Sequence, residues 1–196
     1  RYDADGNLIS VATPGLDNDD VTYVPGTNLI KTVTGGNGSY TYNYDTTNTY
    51  RLNSVTNGLI TQSMNYDGVG NVTNTTLSGS AGKNITASAA YGSNGNLVTT
   101  VTDSAGQTVS YGYGDANSQM TGLPTIVEDP KGTITVNMYD GKNRIAATGI
   151  AESAGLVYSY SGGNLSSVNR SVTGGSNQTY NFNYDSFGNM LSLGVG

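Results

Sequence analysis

Apolar and polar side chains alternate along much of this chain with a period of two. Tyr40-Thr-Tyr42-Asn-Tyr44, Tyr158-Ser-Tyr160 and Tyr180-Asn-Phe182-Asn-Tyr184 place an aromatic at every second position, with Thr, Ser or Asn between. This is the pattern of a half-buried strand, whose successive side chains point to opposite faces. Aromatics are expected on one face and Thr, Ser and Asn on the other. Each run ends in a short break rich in Gly and Asn, and a second strand follows, as in Leu29-Ile-Lys-Thr-Val33, Leu97-Val-Thr-Thr-Val101 and Leu165-Ser-Ser-Val168. Gly is too frequent for helix and no 3.6-residue apolar pattern survives more than two turns, so no helix of any length is expected.

The breaks repeat. Tyr2-Asp-Ala-Asp-Gly-Asn-Leu8, Tyr23-Val-Pro-Gly-Thr-Asn-Leu29, Tyr66-Asp-Gly-Val-Gly-Asn-Val72, Tyr91-Gly-Ser-Asn-Gly-Asn-Leu97 and Tyr184-Asp-Ser-Phe-Gly-Asn-Met190 share one template. It reads Tyr, often Asp, two variable residues, Gly, Asn, then an apolar residue. Weaker copies begin at Tyr44, Tyr113, Tyr139 and Tyr160. The nine anchors Tyr2, Tyr23, Tyr44, Tyr66, Tyr91, Tyr113, Tyr139, Tyr160 and Tyr184 are spaced 21 to 26 residues apart. A fixed period of this length is the signature of a repeat architecture.

Four residues past the anchor stands Gly6, Asn48, Gly70, Gly95, Asn117, Asn143 or Gly188. Gly and Asn tolerate positive φ most cheaply, so this position reads as a left-handed turn residue. A second turn follows the second strand, as at Gly35-Gly-Asn-Gly38, Asp103-Ser-Ala-Gly106, Asp129-Pro-Lys-Gly132 and Gly174-Gly-Ser-Asn177. Each unit is therefore two strands and two turns, too small to bury a face by itself. Stacked neighbours share faces and edges, which is the logic of a solenoid. The expected fold is all-β: a spiralling antiparallel sheet of about nine two-stranded repeats forming one array over residues 1–196.

Composition narrows the function. The 196 residues include 28 Gly and 15 Tyr but two Phe and no Trp or Cys, so Tyr is expected to replace the usual apolar core. A net charge of −6 with eight Lys and Arg leaves no basic patch for phosphates, which argues against nucleic acid and against an anionic membrane surface. No apolar run approaches the length of a membrane span, and the opening Arg1-Tyr2-Asp3 carries no signal-peptide pattern, which reads as a fragment of a larger protein. Without Cys there is no disulfide framework, thiolate metal site or redox chemistry.

The repeated Tyr-(Asp)-x-x-Gly-Asn-apolar template resembles the YD repeat of bacterial Rhs proteins, wall-associated proteins, the C subunits of Tc toxins and the animal teneurins. The resemblance covers essentially the whole chain. It implies a secreted or surface-exposed β-shell around a passenger polypeptide, commonly a toxin domain, or an adhesive, glycan-binding surface. The implied partners are further repeats and a passenger domain of the same polypeptide. Departures are visible: Val24, Gly92, Gly114 and Ser161 replace the Asp after the anchor, and Asn7, Asn28, Asn71, Asn96 and Asn189 stand where Arg is common, Arg144 alone keeping it. The self-cleaving Asp pair of the family's closing core is not recognisable.

Candidate chemistry is sparse. With no His or Cys, a catalytic site would need carboxylates, Lys or Tyr. Glu128 and Glu152 are the only glutamates and both flank turns. No catalytic residue is nominated and the expectation is a structural module, not an enzyme. Asp3-x-Asp5-Gly6-Asn7 spaces oxygens as a calcium loop does, and Asp17-Asn-Asp19-Asp20 is an acidic cluster. The rival reading of Asp3 and its equivalents, an Asx turn bonding backbone amides, needs no metal and is favoured. No cofactor is therefore expected.

Overall fold

The computed structural model describes residues 1–15, 17–36, 38–45, 50–79, 82–93, 95–114 and 121–196. Among them the named elements are seventeen strands, and Thr121 alone has helical backbone. The chain divides into two compact units, Arg1–Ala90 with Thr102–Gly106, and Tyr91–Val101 with Gln107–Gly196.

The first unit carries β1 (Ser10–Val11), β2 (Asp19–Tyr23), β3 (Ile30–Gly35), β4 (Gly38–Tyr44), β5 (Leu52–Thr56), β6 (Ile60–Tyr66), β7 (Val72–Gly79) and β8 (Asn84–Tyr91). Each pairs antiparallel with the next in sequence. The second unit carries β9 (Val98–Thr102), β10 (Thr108–Gly112), β11 (Ile126–Glu128), β12 (Ile134–Tyr139), β13 (Ile145–Ile150), β14 (Ala154–Ser161), β15 (Asn164–Val172), β16 (Gln178–Tyr184) and β17 (Met190–Val195). From β10 to β17 these again pair antiparallel in order, and β9 pairs with β10. Short turns can join strands only to their immediate neighbours, which makes each unit an antiparallel meander. The all-β antiparallel expectation holds.

A register shift falls immediately before six of the anchors: between Thr22 and Tyr23, Asn43 and Tyr44, Asn65 and Tyr66, Met138 and Tyr139, Ser159 and Tyr160, and Asn183 and Tyr184. In the fourth-to-fifth strand pair, Asn43 faces Ser54 and Tyr44 faces Leu52, leaving Asn53 as the extra residue of a bulge. Strict alternation would put Leu52 on the same face as Ser54. The bulge flips it beside Tyr44 instead, and the same device places Ile30, Val72, Ile145, Leu165 and Met190 opposite their anchors.

In the first unit the faces segregate as the alternation predicts. One row of cross-strand partners runs Thr22, Thr32, Thr41, Thr56, Thr61, Ser78. Its hydroxyls bond to one another, Thr22 Oγ1 to Thr32 Oγ1 at 2.6 Å and Thr61 Oγ1 donating to Thr56 Oγ1 at 2.9 Å. The opposite face carries Tyr42, Val55, Gln62 and Leu77 in one row. In the second unit the expectation fails at β12, where Thr135 and Asn137 share the face of Tyr139 while Ile134, Val136 and Met138 lie exposed on the other. A period of two fixes which residues share a face but not which face is apolar.

A second correction concerns the core. Among the described residues no apolar side chain is buried, and the one buried residue is Ser10. The eight anchors from Tyr23 onward are half-buried and Tyr2 is 70% exposed. Within each unit the strands form one layer, so a side chain is covered from the sides by its neighbours but not from above.

Candidate functional site

The repeated element that positions side chains is the anchor Tyr, the turn after it and the neighbouring strand. Five of the anchor hydroxyls reach backward to the neighbouring, preceding strand. Tyr23 donates to Leu8 O at 2.8 Å, Tyr66 to Leu52 O at 2.7 Å, Tyr113 to Val98 O at 3.0 Å, Tyr139 to Pro124 O at 3.0 Å and Tyr160 to Ile145 O at 2.8 Å. Leu8, Leu52 and Ile145 are the apolar residues that close the previous repeat's turn. Each such Tyr therefore ties its own repeat to the one before, with the ring against the sheet and the hydroxyl satisfied by a carbonyl. Tyr2 instead forms an isolated bridge with Leu8. Burial, and then the neighbouring Tyr42 and Tyr111, raises the pKa of the Tyr44 and Tyr113 hydroxyls above the ordinary phenol value.

The turn positions have positive φ: +85° at Gly6, +106° at Gly70, +75° at Gly95, +61° at Asn143 and +86° at Gly188. Asn143 holds the ordinary left-handed value that Asn tolerates. Gly70 lies well beyond it, and a Cβ there would sit 3.0 Å from the Arg51 guanidinium, so only Gly fits without displacement. Asn48 and Asn117 lie outside the described residues.

The Asp after the anchor organises the turn through both carboxylate oxygens. Asp67 Oδ1 accepts the backbone amides of Val69, Gly70 and Asn71, and Oδ2 accepts the Asn71 side-chain amide at 2.8 Å. Asp3 and Asp185 repeat this, Oδ2 accepting from Asn7 at 3.1 Å and from Asn189 at 2.9 Å. The Asn of the template is thus the partner of the Asp four residues earlier. In the seventh repeat Arg144 takes that place, with Nε and Nη2 donating to Asp140 Oδ2 at 2.8 and 2.7 Å. Its guanidinium also lies 3.9 Å from the centre of the Tyr160 ring and donates to Gly163 O at 3.3 Å, bridging into the next repeat. Asp129, with no Tyr before it, builds the same turn by accepting the amides of Lys131 and Thr133. Where Val24 replaces the Asp, Thr27 Oγ1 donates to Val24 O and accepts from Leu29 N.

These bonds favour the ionised carboxylate. The side-chain amides of Asn7, Asn71 and Asn189, then backbone amides, hold Asp3, Asp67 and Asp185 below the usual carboxylate range; for Asp140 the cause is Arg144, and for Asp129 the Thr133 backbone amide. At the proposed calcium loop, Asp3 Oδ1 is engaged by the amides of Asp5 and Asn7. Among the described residues no group of three or more acidic side chains converges as metal ligands would. Glu128 ends β11 and Glu152 sits in the turn before β14 with φ of +62°.

Sequence reasoning missed the Asp–Asn clamp, the backward hydroxyl bond and the bulge. The bulge left one signal. Leu52 and Val55, Leu165 and Val168, and Met190 and Leu193 are three apart, so two apolar residues can share a face only if one extra residue intervenes.

Residues 91–134 match the family model of the RHS Repeat. No curated protein matches the chain. Among solved structures, the fold resembles the crystal structure of TcdB2-TccC3-TEV with a TM-score of 0.76 at 13% identity, covering 100% of this chain and 11% of that one. It also resembles TcdB2-TccC3-Cdc42, with a TM-score of 0.56 at 14% identity, covering 99% of this chain and 12% of that one. The chain spans about a tenth of the length of the solved chains it resembles.

Proposed function

From a chain that carries the RHS repeat, and whose fold over its full length is that of far larger β proteins, we propose that these repeats form part of the wall of a secreted or surface β-shell enclosing a passenger polypeptide. The observation that carries the reading is the whole-chain likeness to TcdB2-TccC3-TEV. The repeat chemistry supports it: the anchor hydroxyls and antiparallel pairing join each repeat to its neighbour, so wall can be added unit by unit. On this reading the segment is structural, needs neither cofactor nor calcium, and works with further repeats of the same polypeptide.

Limited proteolysis of the intact polypeptide tests it. The enclosed passenger should resist protease concentrations that digest it once residues 1–196 are deleted. Equal digestion in both forms would reject the enclosing role.

A second reading, a glycan-binding adhesive surface, is favoured by Tyr40 and Tyr50, which are 40% and 49% exposed. Saturable binding of cell-wall or host glycans by this segment, lost in Tyr40→Ala, would support it.

A further inference from the structure

On the anchor-Tyr face of the second unit, strands β12 to β17 carry one charged side chain, Arg170. The registers place it in a row with Asn137, Thr148, Leu156 and Gln178, while Thr135, Ile150, Ala154 and Val172 form the adjacent row. Between the rows runs an open groove of about 290 Å³, lined by Thr135, Thr148, Ile150, Ala154, Leu156 and Arg170. Ala154 is small between the larger Ile150 and Leu156, and Gly149 and Gly155 complete the lining with backbone. The groove is predominantly apolar, and its volume is near the lower end for small-molecule sites.

Arg170 is exposed, and its guanidinium has no carboxylate within ion-pair reach among the described residues. Among the acids of this unit, Asp140 is paired with Arg144, and Asp129 and Asp185 accept hydrogen bonds within their own turns, while Glu152, in the turn between Ile150 and Ala154 of the lining, makes no ion pair among the described residues. The Thr148 hydroxyl donates to Asn137, and the Gln178 carbonyl oxygen accepts from Tyr180. An unpaired guanidinium beside an aliphatic groove is complementary to an anionic head on an apolar tail, and a carboxylate matches its fork of donors.

We propose that this groove binds a free long-chain carboxylate, the chain lying along Ile150, Ala154 and Leu156 and the head paired with Arg170. The groove lies on the sheet face, where the strands' backbone groups are already paired with each other. An extended peptide there would find no strand edge to satisfy its own amides, whereas an aliphatic chain brings none.

The test titrates the chain with dodecanoate, dodecanol and dodecyltrimethylammonium below their micelle concentrations, by calorimetry and amide chemical-shift mapping. Dodecanoate should bind saturably with shifts at Ile150, Ala154 and Leu156. Arg170→Gln should weaken it about tenfold, the scale of one charge-assisted bond. Arg170→Lys should bind more weakly than the parent while keeping the preference for the carboxylate over the alcohol, and Ala154→Leu, which fills the groove, should abolish binding; circular dichroism checks that each variant folds. The proposal fails if the ammonium binds as tightly as the carboxylate, if Arg170→Gln has no effect, or if the parent shows no saturable binding. An apolar acidic peptide shifting the same amides where dodecanoate does not would likewise overturn it, in favour of a polypeptide ligand.

Discussion

The Tyr66 hydroxyl donates to the carbonyl oxygen of Leu52 at 2.7 Å, fourteen residues earlier and on the neighbouring strand. It fastens one repeat to the turn of the one before. Tyr66→Phe removes that bond alone and should cost about 1 kcal/mol. Tyr66→Ala also removes the ring, but a half-buried site should bring the loss to about 2 kcal/mol, below the 3–5 of a fully buried aromatic. Urea unfolding of both variants checks this. Equal midpoints for Phe and Ala would mean the ring contributes nothing.

The turn glycines should differ among themselves. Gly95 has φ of +75°, close to the value Asn143 already adopts, so Gly95→Asn should be tolerated within a few tenths of a kcal/mol while Gly95→Val costs about 1–3. Gly70→Asn should be clearly worse than Gly95→Asn, because φ there is +106° and the new Cβ meets Arg51. Thermal melts of the three variants beside the parent decide it. A Val as stable as Asn at position 95 would remove the argument.

Acid should loosen the turns. The folded-state pKa values of Asp3, Asp67, Asp129, Asp140 and Asp185 are depressed, so each contributes stability that is complete above the unfolded carboxylate value, about 3.9, and lost as pH falls through its lower folded value. The urea midpoint should be flat from about pH 8 to 5 and fall below about 4. Asp67→Asn should reduce that acid slope. An unchanged midpoint at pH 3 would contradict the clamp.

Arg144 joins Asp140, Tyr160 and Gly163. Lys cannot reproduce both the forked pairing and the planar stack over the ring, so Arg144→Lys should lose about 1 kcal/mol. A double-mutant cycle with Tyr160→Leu should find coupling between the two positions. Purely additive losses would show that the cation over the ring carries no energy.

Calcium should leave the melting temperature unchanged at millimolar concentration, because Asp3 already satisfies the turn through the amides of Asp5 and Asn7. A calcium-dependent rise in melting temperature, lost in Asp3→Ala, would restore the metal loop.

What the sequence determined by itself is local. The period of two announced the strands, Gly or Asn four residues past most of the anchors announced the turn, and the recurrence of both gave the repeat. All three depend on residues within one strand or one turn, whose geometry is set by backbone sterics and hydrogen bonds over a few positions. The reach of Tyr66 to Leu52 and the inverted face of β12 were decided only by tertiary structure, and the bulge before Tyr44 left in the sequence only the three-residue spacing of Leu52 and Val55, since each depends on which residue of a partner strand stands opposite. The same is true of burial. Tyr in place of Leu and Phe suggested a closed core, but coverage is a property of layers, and in each unit one sheet of paired strands holds its tyrosines half-covered, by neighbours alone.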